Sequence, residues 1–160
     1  MEKKMYKRIL SLSATLAFMA ILSACSSTPY ATQEKNLLRK QFNKPEESKV
    51  GLYIYRTSIF FGDGATKEIK LDNQFIGQIK PGTFLFEEVQ SGNHTLATKS
   101  SIGFNEITIN FQGGQNYFFK QSFTPGAPFM GPATNFNQVD EATGKEQIGK
   151  SRLVEQPSKF

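Results

Sequence analysis

Four places in this chain carry side chains whose types and spacing could do chemistry. Cys25 is the sole thiol, preceded by Leu22, Ser23 and Ala24, one aliphatic residue and two small ones. Small residues at such a point suit the active site of a cleaving peptidase. Gly144-Lys145-Glu146-Gln147-Ile148-Gly149-Lys150-Ser151 reads G-x-x-x-x-G-K-S, the spacing in which loop amides and a lysine cradle phosphate. His94 is the sole imidazole, so a histidine base or metal site would have to use it without a second His or Cys. Glu46-Glu47 and Glu87-Glu88 are adjacent acid pairs.

Cys25 stands at the end of an export-like leader. Lys3, Lys4, Lys7 and Arg8 precede an uncharged run of 14 residues, Ile9 to Leu22. As a helix that run spans about 21 Å, short of the ~30 Å hydrocarbon core of a bilayer. It therefore reads as a signal-peptide apolar region rather than a span. Leu22, Ser23, Ala24 and Cys25 resemble the lipobox of bacterial lipoproteins. The resemblance implies that the Cys25 thiol takes a diacylglyceryl group, that residues 1–24 are removed, and that the new amino group is acylated. Two or more chains hold firmly where one is marginal, at ~0.8 kcal/mol per buried CH2. Ser26 rather than Asp follows Cys25; in a Gram-negative cell the resemblance implies transfer to the outer membrane, facing the periplasm.

The other three places lose force when the elements that must position them are considered. A phosphate loop needs a strand before it and a helix after it. Only nine residues follow Ser151, and Pro157 is among them; a polar C-terminal turn or helix is expected, and no nucleotide. His94 follows a Ser91-Gly92-Asn93 turn at a strand start, the place of a hydrogen-bonded turn residue. Adjacent side chains on a strand point to opposite faces, so the acid pairs do not converge. We expect no catalytic residue, no metal and no cofactor; the alternative is an envelope hydrolase with an acidic or His94-containing cleft. The formal charge of +5 falls to +2 once Lys3, Lys4, Lys7, Arg8 and Glu2 leave with residues 1–24, too little for a nucleic-acid footprint. With Cys25 the only cysteine, no internal disulfide can form.

Residues 25–48 read as the lipidated cysteine and a polar tether, with a short helix over Glu34–Phe42 and Leu37, Leu38 and Phe42 on one side. From Lys49 the hydrophobic period becomes two. Val50, Leu52 and Ile54 alternate with Gly51, Tyr53 and Tyr55, apolar on both faces, as in a central strand. Asp72-Asn73 predicts a tight hairpin turn, since both types tolerate positive φ. Lys80-Pro81-Gly82, Ser91-Gly92-Asn93 and Gly113-Gly114 punctuate the following strands, and Ala133 to Val139 closes the series. The expectation is a mainly β domain over residues 49–156. It is an antiparallel β-sandwich or open barrel of seven or eight strands, with room for a short C-terminal helix. Two apolar clusters fall in loops: Phe60 and Phe61 beside Ile59, and Phe129 and Met130 after Pro128. Exposed, they would offer a partner contact.

The series Tyr53-Ile54-Tyr55-Arg56, Leu71 to Ile79, Pro81-Gly82-Thr83-Phe84, Ser91 to Leu96 and Gly113 to Phe118 resembles the bacterial lipoprotein domain of unknown function 2846. It is similar in outline to small PEGA-type surface sandwiches. Asn73 and Ser91 stand where that family usually has Gly and Pro. The resemblance implies a fold and carries over no catalytic residue. The function expected is a membrane-anchored envelope lipoprotein, a non-catalytic binding or structural module for a protein or glycan partner. A sugar-binding accessory would need exposed aromatic platforms, for which Tyr53, Tyr55 and Tyr117 are the candidates.

Overall fold

A computed structural model of the chain describes residues 28–58, 64–101, 103–124 and 133–157. A helix, α1 (Gln33–Arg39), precedes eight strands: β1 (Lys49–Arg56), β2 (Lys67–Leu71), β3 (Gln74–Ile79), β4 (Thr83–Gln90), β5 (Gly92–Lys99), β6 (Phe104–Phe111), β7 (Gln115–Thr124) and β8 (Ala133–Val139). A second helix, α2 (Glu141–Gly149), and a two-residue strand, β9 (Arg152–Leu153), end the series. One sheet has the order β8-β7-β1-β4-β9 and the other β3-β2-β5-β6.

The sandwich expected from the sequence is there, with nine strands and a short C-terminal helix. Two of its contacts are parallel, β1 with β7 and β4 with β9. Parallel neighbours need long connections. The chain supplies them by building the whole second sheet between β1 and β7, and α2 between β8 and β9.

β1 explains the layering. Val50, Leu52 and Ile54 point inward to a core shared with Ile69, Leu71, Leu85, Leu96, Phe111 and Phe119. Tyr53 and Tyr55 point the other way, into a second core with Phe84, Phe86, Phe118, Ile148 and Leu153. That outer face would be wet in a two-layer sandwich. Here α1, α2 and the segment joining α1 to β1 cover it, so β1 is buried on both faces. The Tyr53 ring stacks on Phe118 at 5.1 Å and meets Phe86 edge-on at 4.8 Å. Its hydroxyl donates to the Arg39 carbonyl at 2.9 Å. Burial pushes its pKa up to about 12, against a smaller opposite pull from Arg39. Tyr53 and Tyr55 are 2% and 1% exposed. The Tyr117 hydroxyl accepts from the Gln112 amide at 2.9 Å. None of the three is an exposed aromatic platform.

The segment expected to be a polar tether is, over residues 28–48, part of this packing. Tyr30 bridges Val154, and the Ala31 amide donates to the Leu153 carbonyl at 3.0 Å. Helix α1 starts at Thr32, whose hydroxyl caps the Lys35 amide, and stops near Lys40, shorter than the sequence suggests. Phe42, at φ 53°, then turns its ring onto Tyr53 and Phe118. The helix is also rotated against its apolar pattern. Leu37 and Leu38 are half exposed while Asn36 is buried, its side-chain oxygen accepting the Leu153 amide at 2.9 Å. A buried amide without a partner costs ~1–3 kcal/mol, and satisfying that one sets the orientation of α1.

Helix α2 is capped by Asp140, which accepts from the Thr143 amide at 2.9 Å, and it approaches β7 through Gly144. A Cβ at Gly144 would lie 2.5 Å from Phe118 Cβ and Cδ1, atoms held in the second core. Alanine favours a helix interior over glycine by ~1 kcal/mol, whereas overpacking a core costs ~1–3 kcal/mol. Gly144→Ala should therefore lower stability, moving the urea midpoint down by the equivalent of roughly 1–2 kcal/mol. An unchanged or raised midpoint would show that α2 sits loosely on the sheet.

Candidate functional site

The phosphate-loop pattern does not have the structure of a phosphate loop. Gly144 to Gly149 lie inside α2, and Lys150 and Ser151 follow its C-terminal end. The helix precedes the Lys-Ser pair instead of offering its N-terminal amides to it. Lys150 pairs with Glu146, and the Ser151 hydroxyl donates to the Gln147 carbonyl at 2.8 Å.

His94 is held at both nitrogens. Nδ1 lies 2.6 Å from Asp72 Oδ2, and Nε2 lies 2.9 Å from the Gln90 carbonyl oxygen. Its ring packs against Phe111 at 5.7 Å. The arrangement is built by turns. Asp72 and Asn73 have φ 49° and 65°, the left-handed pair of a tight hairpin turn. This aims the Asp72 carboxylate back at β5, where Oδ1 accepts the Thr95 amide at 2.9 Å. The Asp72 amide in turn donates to the Thr95 carbonyl at 2.8 Å. One aspartate thus fastens the β2–β3 turn to the start of β5, and His94 extends the clamp to the end of β4. Both histidine nitrogens are spent on structure.

The Glu87-Glu88 pair separates as a strand demands, whereas Glu46-Glu47 precedes β1 and Glu46 pairs with Lys49. Glu88 binds Lys49 at 3.0 Å. Glu87 is 5% exposed and turns to the other side, accepting from the Gln156 side-chain amide at 2.9 Å. Among the described residues, no group of three or more His, Cys, Asp or Glu could hold a metal ion.

An open groove of about 960 Å3 lies among the described residues. Helix α1 forms one wall and the β2–β3 hairpin the other; β4 is the floor and Leu153–Pro157 closes an end. Leu38 and Phe75 stand on its rim, 48% and 46% exposed. The Arg39 guanidinium lies over the Phe86 ring at 4.1 Å, and Glu87 sits in the floor. Its hairpin wall includes β3, the edge strand of the second sheet. Among the described residues no strand pairs with that edge, where the Ile76 carbonyl accepts from the Gln156 side-chain amide at 3.4 Å; the groove thus offers a sheet edge, apolar side chains and charges of both signs. Periodicity marks Leu38 and Phe75 as apolar, but their exposure follows from the rotation of α1 and from the hairpin overhang. No sequence signal announces either.

The residues read from the sequence as site residues are not among those described. Leu22, Ser23, Ala24 and Cys25 lie outside the described residues, as do Phe60, Phe61, Phe129 and Met130. The strand ends that bracket the two apolar loops, Arg56 of β1 and Thr124 of β7, lie at one end of the parallel β1–β7 pair.

Asp72 has its carboxyl pKa held below the ordinary 3.8. Burial pushes it up, but the Thr95 amide and His94 together outweigh that push. A carboxyl depressed in the folded state stabilises above its unfolded pKa, and that contribution fades as pH falls through the folded value. Asp72 is half exposed, so the effect is modest. Wild type should lose more stability between about pH 5 and pH 2 than Asp72→Asn, as read from urea midpoints. Parallel pH curves for the two would remove Asp72 as a contributor.

The comparisons with known proteins give a family and no chemistry. No solved structure matches the chain. A protein of Haemophilus influenzae (strain ATCC 51907 / DSM 11121 / KW20 / Rd), described as an uncharacterized protein, is 35% identical over 148 residues, covering 92% of this chain and 86% of that one. The model of the family described as "Protein of unknown function (DUF2846)" matches residues 46–133, from the approach to β1 to the start of β8. The chain therefore belongs to the DUF2846 family.

Proposed function

We propose that this protein is an envelope lipoprotein anchored through Cys25, and that its domain is a non-catalytic docking module for an extended segment of a partner protein. The observation that carries the docking role is the edge of β3 fronting the groove, with which no strand among the described residues pairs. A partner strand added there would gain main-chain hydrogen bonds, with pockets beside Leu38 and Phe75 reading alternate side chains. Arg39 and Glu87 supply charges of opposite sign to fix its register. The same geometry speaks against hydrolysis by paired acids, because Glu87 and Glu88 diverge and His94 is committed at both nitrogens. The Leu22-Ser23-Ala24-Cys25 sequence supports the anchor, and Ser26 supports an outer-membrane address facing the periplasm.

Two measurements test this reading. Palmitate labelling and intact mass of the membrane fraction should show a chain lacking residues 1–24 and carrying acyl groups. Cys25→Ala should abolish the label and release the protein; a full-length, unacylated wild type would refute the anchor. For the groove, a photo-crosslinking residue at position 75 should give a discrete adduct in cells. A Leu38→Asp change in the opposite wall should reduce that adduct several-fold with little change in melting temperature. Equal adduct formation with and without Leu38→Asp would remove the groove as the docking site.

A further inference from the structure

We infer that Tyr30, Lys80 and Arg152 form a contact for the phosphate of an anionic lipid headgroup, beside the point where the anchor enters the bilayer. The inference rests on the lipid-anchor half of the proposed function and is independent of the groove.

Two observations carry it. The first is the length of the leash. Residues 28–48 are docked on the domain, so only Ser26 and Ser27 separate Cys25 from Thr28, the first described residue. Three peptide steps reach at most ~11 Å. A diacylglyceryl group on Cys25 would sit with its glycerol at headgroup depth, so the flank of the domain carrying Tyr30 is held at the lipid phosphates. A free tether from Cys25 to Ser48 would have imposed no such orientation.

The second is the charge left over on that flank. Lys80 Nζ lies 4.3 Å from the centre of the Tyr30 ring, and the Arg152 guanidinium carbon lies 3.8 Å from it. Tyr30 is 40% exposed. Neither cation has a carboxylate partner among the described residues. The nearby carboxylate of Glu155 is taken by Lys35 at 3.0 Å. Both positive charges flank one exposed ring, and an anion beside that ring would offset them. Arginine offers a planar fork that matches phosphate oxygens, and lysine adds a point charge. Tyrosine favours the membrane–water interface, where its ring is apolar and its hydroxyl wet. The positions are fixed by fold: Lys80 by the β3–β4 turn, Arg152 by the pairing of β9 with Thr83, and Tyr30 by its bridge to Val154.

The test uses the mature acylated protein, its acyl groups verified by intact mass. It is placed in vesicles of phosphatidylcholine alone or with about a third phosphatidylglycerol, enough to give an anionic surface. A water-soluble acetylating reagent then reports each lysine by mass spectrometry. Lys80 should react several-fold more slowly in the anionic vesicles, with Lys99 on the far sheet unchanged, and Arg152→Gln should remove most of that protection. An acylated chain whose Lys80 reacts equally in both vesicles, or whose protection survives Arg152→Gln, overturns the contact and leaves the anchor standing. A chain without acyl mass overturns both.

Discussion

The structure depends on the burial of β1 on both faces. A strand in a two-layer sandwich needs one apolar face. This one has Val50, Leu52 and Ile54 on one side and Tyr53 and Tyr55 on the other, all nearly inaccessible. At ~1.5–3 kcal/mol for each large side chain buried, leaving the tyrosine face wet would forgo much of what holds the domain together. The helices are the answer to that constraint. Gly144 brings α2 against Phe118, Phe42 leaves the end of α1 to cover Tyr53, and the Tyr53 hydroxyl closes onto the Arg39 carbonyl. A polar-looking N-terminal segment thus becomes structural because the strand after it has two faces to hide.

Local patterns foretold the elements and not their company. The two-residue period marked the strands, and Asp72-Asn73 announced a hairpin whose dihedrals are those of a tight left-handed turn. These signals are legible because turns and alternation are short-range. The alternation around Tyr53 also disclosed a strand without a wet face. It did not say what covers it, since the covering residues are spread over residues 31–42 and 139–153 and share no periodicity with it. Helix α1 misleads for a related reason: Leu37 and Leu38 suggest its inner face, but the amide of Leu153, more than a hundred residues away, claims Asn36.

The candidate groove was illegible on the same grounds. Its walls come from four separate stretches, and its features of note are a sheet edge and an outward Leu38 and Phe75. Each is a property of the assembled sheets. The motif that was most legible, Gly144 to Ser151, matched a pattern whose meaning lies in what surrounds it. In and just after a capped helix those residues serve packing and local ion pairs. The sole histidine shows the converse: a residue that invites a catalytic reading is explained by the two oxygens it faces.

The pairing of Tyr30 with Val154, and of Asn36 with Leu153, joins the first and last described segments of the chain. Contacts so far apart in sequence are slow to form, because the loop they close must be ordered first. They also impose an order in time. Whatever part of the sandwich assembles early, residues 28–36 cannot take their places until Arg152 to Glu155 have emerged from the machinery that makes or moves the chain. Until that moment the N-terminal segment is a free strand, readable by enzymes that act on extended chains. Afterwards it is locked against residues 152–155, so the closed fold records that this far segment has been made.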